Sequence, residues 1–248
     1  MRLRTSDHVL EIGPGKGALT ALLLEELAGL TAVELDDELA ETLETRFGKK
    51  LTLYRGDVLN VDIRSLAANS EAGLRVVGNI PYNITSPILF WIIDVSRFVA
   101  DATLMMQREV AQRLIAKPRS KEYGILSVLT QYYSSPEILF NVSPGSFYPV
   151  PDVQSAVVLL QFISHPKKRA QDDALFRAVV RGTFGKRRKT LRNGLRAMSV
   201  PPDALQNLSI DLDQRPEELS VGEFTVLSDE LHRMNINVKF NESSVAHG

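Results

Sequence analysis

The stretch "HVLEIGPGKGALTALLLEELAGLTAVELD", residues 8–36, holds one full period of a layered α/β architecture. Its first six residues, 8–13, are apolar with one carboxylate and read as a buried strand. Three glycines, Gly13, Gly15 and Gly17, then let the backbone turn sharply. Residues 17–29 carry apolar side chains at helical spacing and close at Gly29, and residues 30–36 form a second β-rich run. Strand, tight turn, helix, strand predicts two parallel strands of one sheet, with the glycine turn at the carboxyl end of the first.

Outward from this unit the pattern repeats. A helix is expected over 37–48, a strand over 51–57, a strand over 74–79, a helix over 84–95, a strand over 102–107 and a helix over 108–117. Two further β-rich runs, 136–142 and 155–162, have only a Pro-rich connection between them, which suits a closing antiparallel pair at a sheet edge. Beyond residue 165 the strand signal stops. "DALFRAVVRGTFG", "KRRKTLRNGLRAM" and "VGEFTVLSDELHRM" read as helices, with turns at "VPPD" and "QRPEE" and an extended or frayed tail from residue 235. The expected organisation is therefore an α/β domain over 1–164 and a small helical domain over 165–248.

At 44% apolar and 24% charged, the 248 residues have the balance of a globular protein. There is no cysteine, which excludes disulfides, thiolate metal sites and a Cys nucleophile, and the four histidines, His8, His165, His232 and His247, lack metal-ligand spacing. No metal is expected. No apolar run approaches a membrane span and "MRLRTSDHV" has no apolar signal core, so the cytosol is the expected compartment. The net charge of −1 is unevenly distributed: residues 165–198 carry eleven Lys and Arg against two Asp, whereas residues 199–248 carry three against nine acids. Such a basic block favours a polyanionic partner.

Chemistry gathers at the ends of the strands. The glycine loop alone is a weak signal; with Ala18 it also satisfies the dinucleotide pattern G-x-G-x-x-G/A, so a nicotinamide or flavin enzyme stays open, whereas the phosphate-binding G-x-x-x-x-G-K-[ST] is absent. Glu34, ending the second strand, can accept from both ribose hydroxyls of an adenosine-containing cofactor and would repel a 2′-phosphate. Asp57, after the third strand, is placed to accept from an adenine amino group. After the fourth strand comes "GNIPYNITSP", residues 78–87, which sets an amide, Asn79, and a phenol, Tyr82, around Pro81. Neither a strand nor a helix gains from them there.

The runs "VLEIGPGKGALT", "VELD", "GDVL", "NIPYNITSPIL", "MMQREVAQRL", "YGILSVLTQYY", "FYPVPDVQSAVVLL" and "RPEELSVGEF" together resemble the bacterial small-subunit ribosomal RNA adenine dimethyltransferases, over nearly the whole chain. The resemblance implies a class I S-adenosylmethionine-dependent methyltransferase fold, with a Rossmann-like, seven-stranded, mostly parallel sheet and a helical C-terminal domain. It implies a cofactor site made of Glu11, Gly13, Gly15, Gly17, Glu34, Leu35, Asp57, Val58 and Asn79, and a catalytic group of Asn79, Pro81, Tyr82 and Phe147. In such a site the Asn79 side-chain oxygen and a backbone carbonyl at Ile80 or Pro81 accept the two N6 hydrogens of an adenine, while Tyr82 and Phe147 offer ring faces to the base. Gln107, Arg108, Glu109 and Arg113 would flank the substrate channel, with no catalytic role assigned.

The basic block supplies the RNA-binding candidates Lys186, Arg187, Arg188, Lys189, Arg192 and Arg196, with Arg188, Arg192 and Arg196 on one helix face. The implied partner is small-subunit rRNA in a pre-ribosomal particle, met by a monomer. Members of this family usually carry a Gln-(Asn/His)-Phe-Leu segment before the first strand; here "MRLRTSD" precedes "HVLEIG", so that segment's cofactor contacts are expected to have no counterpart. Three other readings stay open at this point: a large-subunit rRNA methyltransferase of macrolide resistance, an assembly factor acting by occupancy, and a dehydrogenase.

Overall fold

The structure is a computed structural model, and it describes residues 3–67, 70, 72–148, 150–162, 169–185, 189–236 and 238. Seven strands form one sheet: β1 Val9–Ile12, β2 Leu30–Glu34, β3 Leu51–Arg55, β4 Leu74–Asn79, β5 Val99–Gln107, β6 Ser134–Val142 and β7 Ser155–Phe162, in the order β3-β2-β1-β4-β5-β7-β6. The first five are parallel. β7 runs antiparallel to both β5 and β6, so the expected closing pair forms at the sheet edge. The order reverses between β1 and β4, which is the switch point where open α/β sheets bind ligands at their carboxyl edge.

Why these residues form this sheet is visible in their burial. Every residue of β1 is buried, as are Val76, Val77 and Gly78 of β4, so both sheet faces are covered. This is the reason the strands read as continuous apolar runs without alternation. Helices α1 Ala18–Glu26 and α2 Asp37–Phe47 follow β1 and β2. Leu23, Leu24, Leu27 and Leu43 join Val9, Leu30, Ala32, Leu51 and Val77 in one cluster. Each such Leu contributes about 1.5–3 kcal/mol by leaving water. Asp36 caps α2, accepting from the N–H groups of Glu38 and Leu39 at 2.9 and 3.0 Å. Helix α1 ends at Glu26, three residues before the expected stop at Gly29, because Leu27 is already extended.

Short helix α3 Ile63–Ala67, helix α4 Thr85–Asp94 and helix α5 Arg108–Leu114 complete the crossovers. Strand β5 starts at Val99, three residues earlier than its apolar run suggested. Helix α6 Ile125–Tyr133 was not expected at all.

The chain divides into two compact units. One comprises Met1–Gln112 and Tyr133–Ser164; the other comprises Arg113–Tyr132 and His165–Gly248. The segment 113–132, assigned above to the first domain, thus belongs with the C-terminal helices, and the break expected near residue 165 is one of three crossings. The reason lies in α6 and the segment before it: the Tyr132 ring stacks on Phe176 at 3.8 Å, and the Tyr123 hydroxyl donates to the Leu219 carbonyl at 2.8 Å.

The second unit adds α7 Asp173–Phe184, α8 Leu191–Ala197, α9 Pro202–Gln206 and α10 Val221–Arg233. Asp172 caps α7 through the Leu175 N–H at 2.9 Å, and Ser220 with Glu223 forms a reciprocal capping box on α10. The tail expected to fray begins in order: Asn235, at φ 54°, closes α10 with N–H bonds from Asn235 and Ile236 back to His232 and Leu231. The rest of that tail lies outside the described residues, apart from Val238.

The basic helix is shorter than its sequence suggested. Thr190 is extended and α8 begins only at Leu191, so Lys189 precedes the helix and does not share a face with Arg192 and Arg196. Lys186, Arg187 and Arg188 lie outside the described residues.

Candidate active site

Every strand that ends at the carboxyl edge of the sheet delivers one part of the site. Gly13, Gly15 and Gly17 leave β1 with φ of 64°, 57° and 76°, the left-handed region that glycine adopts without strain. The reasons differ along the loop. A Cβ on Gly17 would sit 2.7 Å from the Phe47 ring and 2.8 Å from Leu43, so this glycine permits packing against α2. A Cβ on Gly15 would meet nothing within 4 Å: its bareness faces open space and suits a ligand.

Glu34, at the end of neighbouring β2, is 7% exposed. Its Oε2 accepts the Gly15 N–H at 2.9 Å; its Oε1 accepts those of Leu35 at 2.9 Å and Asp36 at 3.1 Å. A carboxylate offers about four acceptor positions, so one remains, on Oε2. That position would be open to one ribose hydroxyl of an adenosine cofactor, and a second would have to compete with the Gly15 N–H. Leu35, 70% exposed beside it, is an apolar surface in want of a cover, and Val58 is buried on the other flank. Asp57 accepts the Leu59 N–H on Oδ1 at 3.0 Å, which leaves Oδ2 to a ligand. An open-faced glycine cradle, a pinned carboxylate and apolar flanks fit S-adenosylmethionine.

Glu11 is different. It is 1% exposed, and its Oε2 accepts the Thr20 hydroxyl at 2.7 Å. Burial pushes its carboxyl up to about 7; the Thr20 bond opposes this and the charge of Glu34 adds to it. The group therefore braces the loop from within, joining β1 to α1.

On the far side of the switch point, Asn79 closes β4, exposed, with the Ile80 N–H donating to Met105 of β5 at 3.0 Å. β1 and β4 are direct neighbours, Ile12 beside Gly78, so the glycine loop and Asn79 leave strands about 4.8 Å apart. The choice left open between two carbonyls closes here. The Pro81 carbonyl already accepts from the Ile84 N–H at 3.1 Å and the Thr85 hydroxyl at 3.2 Å. Among the described residues no donor engages the Ile80 carbonyl, so of the two it is the one left to accept, next to Asn79 in the chain and ahead of Pro81.

Tyr82 opens the tight turn Tyr82–Ile84, half-buried, and its hydroxyl pairs with Ser155 Oγ at 2.7 Å. Phe147 lies in the β6–β7 connection, half-buried, held by its N–H to the Pro144 carbonyl at 3.1 Å. Because Ser155 pairs with Gln107 at the end of β5, that connection stands at the same edge as Asn79. Arg108 is tied there as well, through two bonds of 2.9 Å to Gln154. Three partners escaped the sequence reading: Thr20, Gln154 and Ser155. Only the short step from "PVPDVQ" into the strand "SAVV" hinted at the last two.

The edge thus gathers the candidate cofactor residues on β3, β2 and β1 and the candidate base-facing residues beside β4, β5 and β7. Lys189, Arg192 and Arg196 belong to the other unit; Arg196 is exposed, and Arg192 donates to Asp213 at 3.2 Å.

The family model of "Ribosomal RNA adenine dimethylase" matches residues 1–233. The chain belongs to this family. As a ribosomal RNA adenine dimethylase it is 46% identical over 230 residues to the ribosomal RNA small subunit methyltransferase A of Chlorobium phaeobacteroides, covering 93% of this chain and 85% of the relative. It is 43% identical to that of Hahella chejuensis, covering 91% and 83%. Among solved structures, a dimethyladenosine transferase from Plasmodium falciparum superposes with a TM-score of 0.78 at 25% identity, covering 94% of this chain and 93% of the other. The 23S rRNA methyltransferase ErmE superposes at 0.65 with 25% identity and 93% of each chain covered. The class I methyltransferase fold expected from the sequence is thus the fold of this dimethylase.

Proposed function

We propose that the chain dimethylates N6 of two adjacent adenines near the 3′ end of small-subunit rRNA, with S-adenosylmethionine as methyl donor. What carries this reading is the place of Asn79 and Ile80 at the end of β4, one strand away from the glycine cradle. S-adenosylmethionine, when bound, supplies a methyl group on a sulfonium that is already electrophilic.

The protein's task is then to orient a poor nucleophile. The N6 lone pair of adenine is delocalised into its ring. Two acceptors, the Asn79 side-chain oxygen and the Ile80 carbonyl, take the two N6 hydrogens and turn that lone pair out of the ring plane, toward the cradle. Once methylated, N6 is cationic and releases one of its two hydrogens as a proton to water; the single hydrogen left engages one acceptor, and rotation about C6–N6 presents the lone pair again. Gly13, Gly15, Gly17, Glu34, Leu35, Asp57 and Val58 hold the donor; Tyr82 and Phe147 offer faces to a base that has left its stack.

The partner in this reading is the rRNA of an assembling small subunit, met in the cytoplasm by a monomer. Lys189, Arg192 and Arg196, with Lys186, Arg187 and Arg188 of the same basic block, supply phosphate contacts. Among the described residues no helix is long and apolar enough to cross a membrane. The test is transfer of labelled methyl from S-adenosylmethionine to isolated subunits. Label in dimethyladenosine of the small subunit is expected; label confined to the large subunit would reassign the substrate to that of the macrolide-resistance enzymes, and none in either would leave a role by occupancy.

A further inference from the structure

Ser155 opens β7, paired with Gln107 of β5 and Val142 of β6, and is 0% exposed. The sheet gains nothing from its hydroxyl. An alanine would make the same ladder, and a buried polar group is a cost unless it is hydrogen-bonded. Its recorded partner is the Tyr82 hydroxyl, 73 residues away in sequence, at 2.7 Å.

This bond holds Tyr82 at the far end of its ring. The near end is fixed by the turn that follows Pro81, itself at φ −55°. The hydroxyl lies on the long axis of the ring, so the bond locks the first side-chain torsion while a flip about the axis returns the ring to itself. The ring is held at both ends, and a base stacking on it would meet a plane of fixed tilt.

Resting on the function proposed above, we infer that Ser155 is a positioning residue for methyl transfer: through Tyr82 it sets the plane against which the target adenine stacks, and thereby the aim of N6 at the methyl group. Ser155 touches neither substrate nor cofactor in this role.

Steady-state methylation of small subunits by the wild type, Ser155→Ala, Tyr82→Phe and the double variant tests it, alongside melting temperatures and calorimetry with S-adenosylhomocysteine. Each single variant is expected to lower kcat by about three- to tenfold, with S-adenosylhomocysteine affinity within about twofold of wild type. The double variant leaves no orphaned hydroxyl, so its melting temperature should recover toward wild type while its kcat stays as low as that of either single variant. An unchanged kcat in Ser155→Ala, losses that multiply in the double variant, or a kcat that recovers with stability would each overturn the role. A wild type that labels no rRNA would sink the functional reading itself; a labelling wild type with unimpaired variants would sink this role alone.

Discussion

The backbone N–H of Gly15 donates to Glu34 Oε2 at 2.9 Å, which ties the loop over β1 to the end of β2. Since Oε1 of the same carboxylate faces the N–H groups of Leu35 and Asp36, every neighbour of this side chain is a donor. Glu34→Gln therefore sets an amide NH2 against an N–H in either of its two orientations. The expected outcome is a loss of S-adenosylhomocysteine affinity of about 30- to 100-fold, the worth of one charge-assisted bond, with a lowered melting temperature. Calorimetry showing an affinity within about threefold of wild type would remove Glu34 from the cofactor site.

Gly15 and Gly17 share a backbone conformation and differ in surroundings, so alanine separates their roles. Gly15→Ala incurs only the left-handed backbone term, about 1–2 kcal/mol, and fills the open cradle. Gly17→Ala adds an overlap with Phe47 and Leu43 and is expected to cost about 2–5 kcal/mol. Urea unfolding should rank Gly17→Ala as the less stable, and cofactor titration should rank Gly15→Ala as the weaker binder relative to its stability. The reverse order in both would place the ligand elsewhere.

What the sequence disclosed follows from which physical signal each feature leaves. The central strands β1, β2 and β4 were legible because they are largely buried and read as apolar runs, and the edge pair because Pro and Gly punctuate it. Helix α6 was not, since "ILSVLTQYY" is rich in β-branched and aromatic residues and passes into β6 at Ser134 without a turn; packing of Tyr132 on Phe176 overrides that preference. In the site, Glu34 and Asn79 stood out because each ends a strand, and Gly15 and Asp57 because each lies just past one. The pairs that brace them, Glu11 with Thr20 and Tyr82 with Ser155, join residues that only the completed sheet brings together. Choosing Ile80 over Pro81 needed the positions of Ile84 and Thr85.

Glu11 makes stability depend on pH in a defined direction. Its folded carboxyl titrates at about 7, against 4.5 for the ordinary group, because burial disfavours the charge. The folded chain holds a proton that the unfolded chain has released, so this group's contribution favours folding at low pH, weakens as pH rises from about 4.5 to 7, and stays at its lowest above. Glu11→Gln keeps an acceptor for Thr20 and abolishes the titration. The variant should be more stable than wild type by about 2–3 kcal/mol at pH 8, with the difference closing toward pH 5. A constant difference across that range, measured by urea unfolding, would show that Glu11 does not titrate there.

Asn79→Ala removes one of the two N6 acceptors and leaves the Ile80 carbonyl. Turnover should fall by about 100-fold or more, because the lost bond acts on the aim of the lone pair, while RNA affinity in a filter-binding assay stays within about twofold. Equal losses in both quantities would make Asn79 a binding residue only.

Arg192 and Arg196 stand on the same short helix, and among the described residues the first is tied to an acid, Asp213 at 3.2 Å. A phosphate must compete with that carboxylate for Arg192, whereas Arg196 is exposed on the same helix. Arg196→Glu should therefore weaken rRNA binding more than Arg192→Glu and should flatten the slope of log affinity against log salt by about 0.7–0.9, one phosphate contact. Asp213→Ala should act in the opposite sense, releasing Arg192 and steepening the slope by a similar amount. If all three variants keep the wild-type slope, α8 is a solvated face and the phosphate contacts fall to the rest of the basic block.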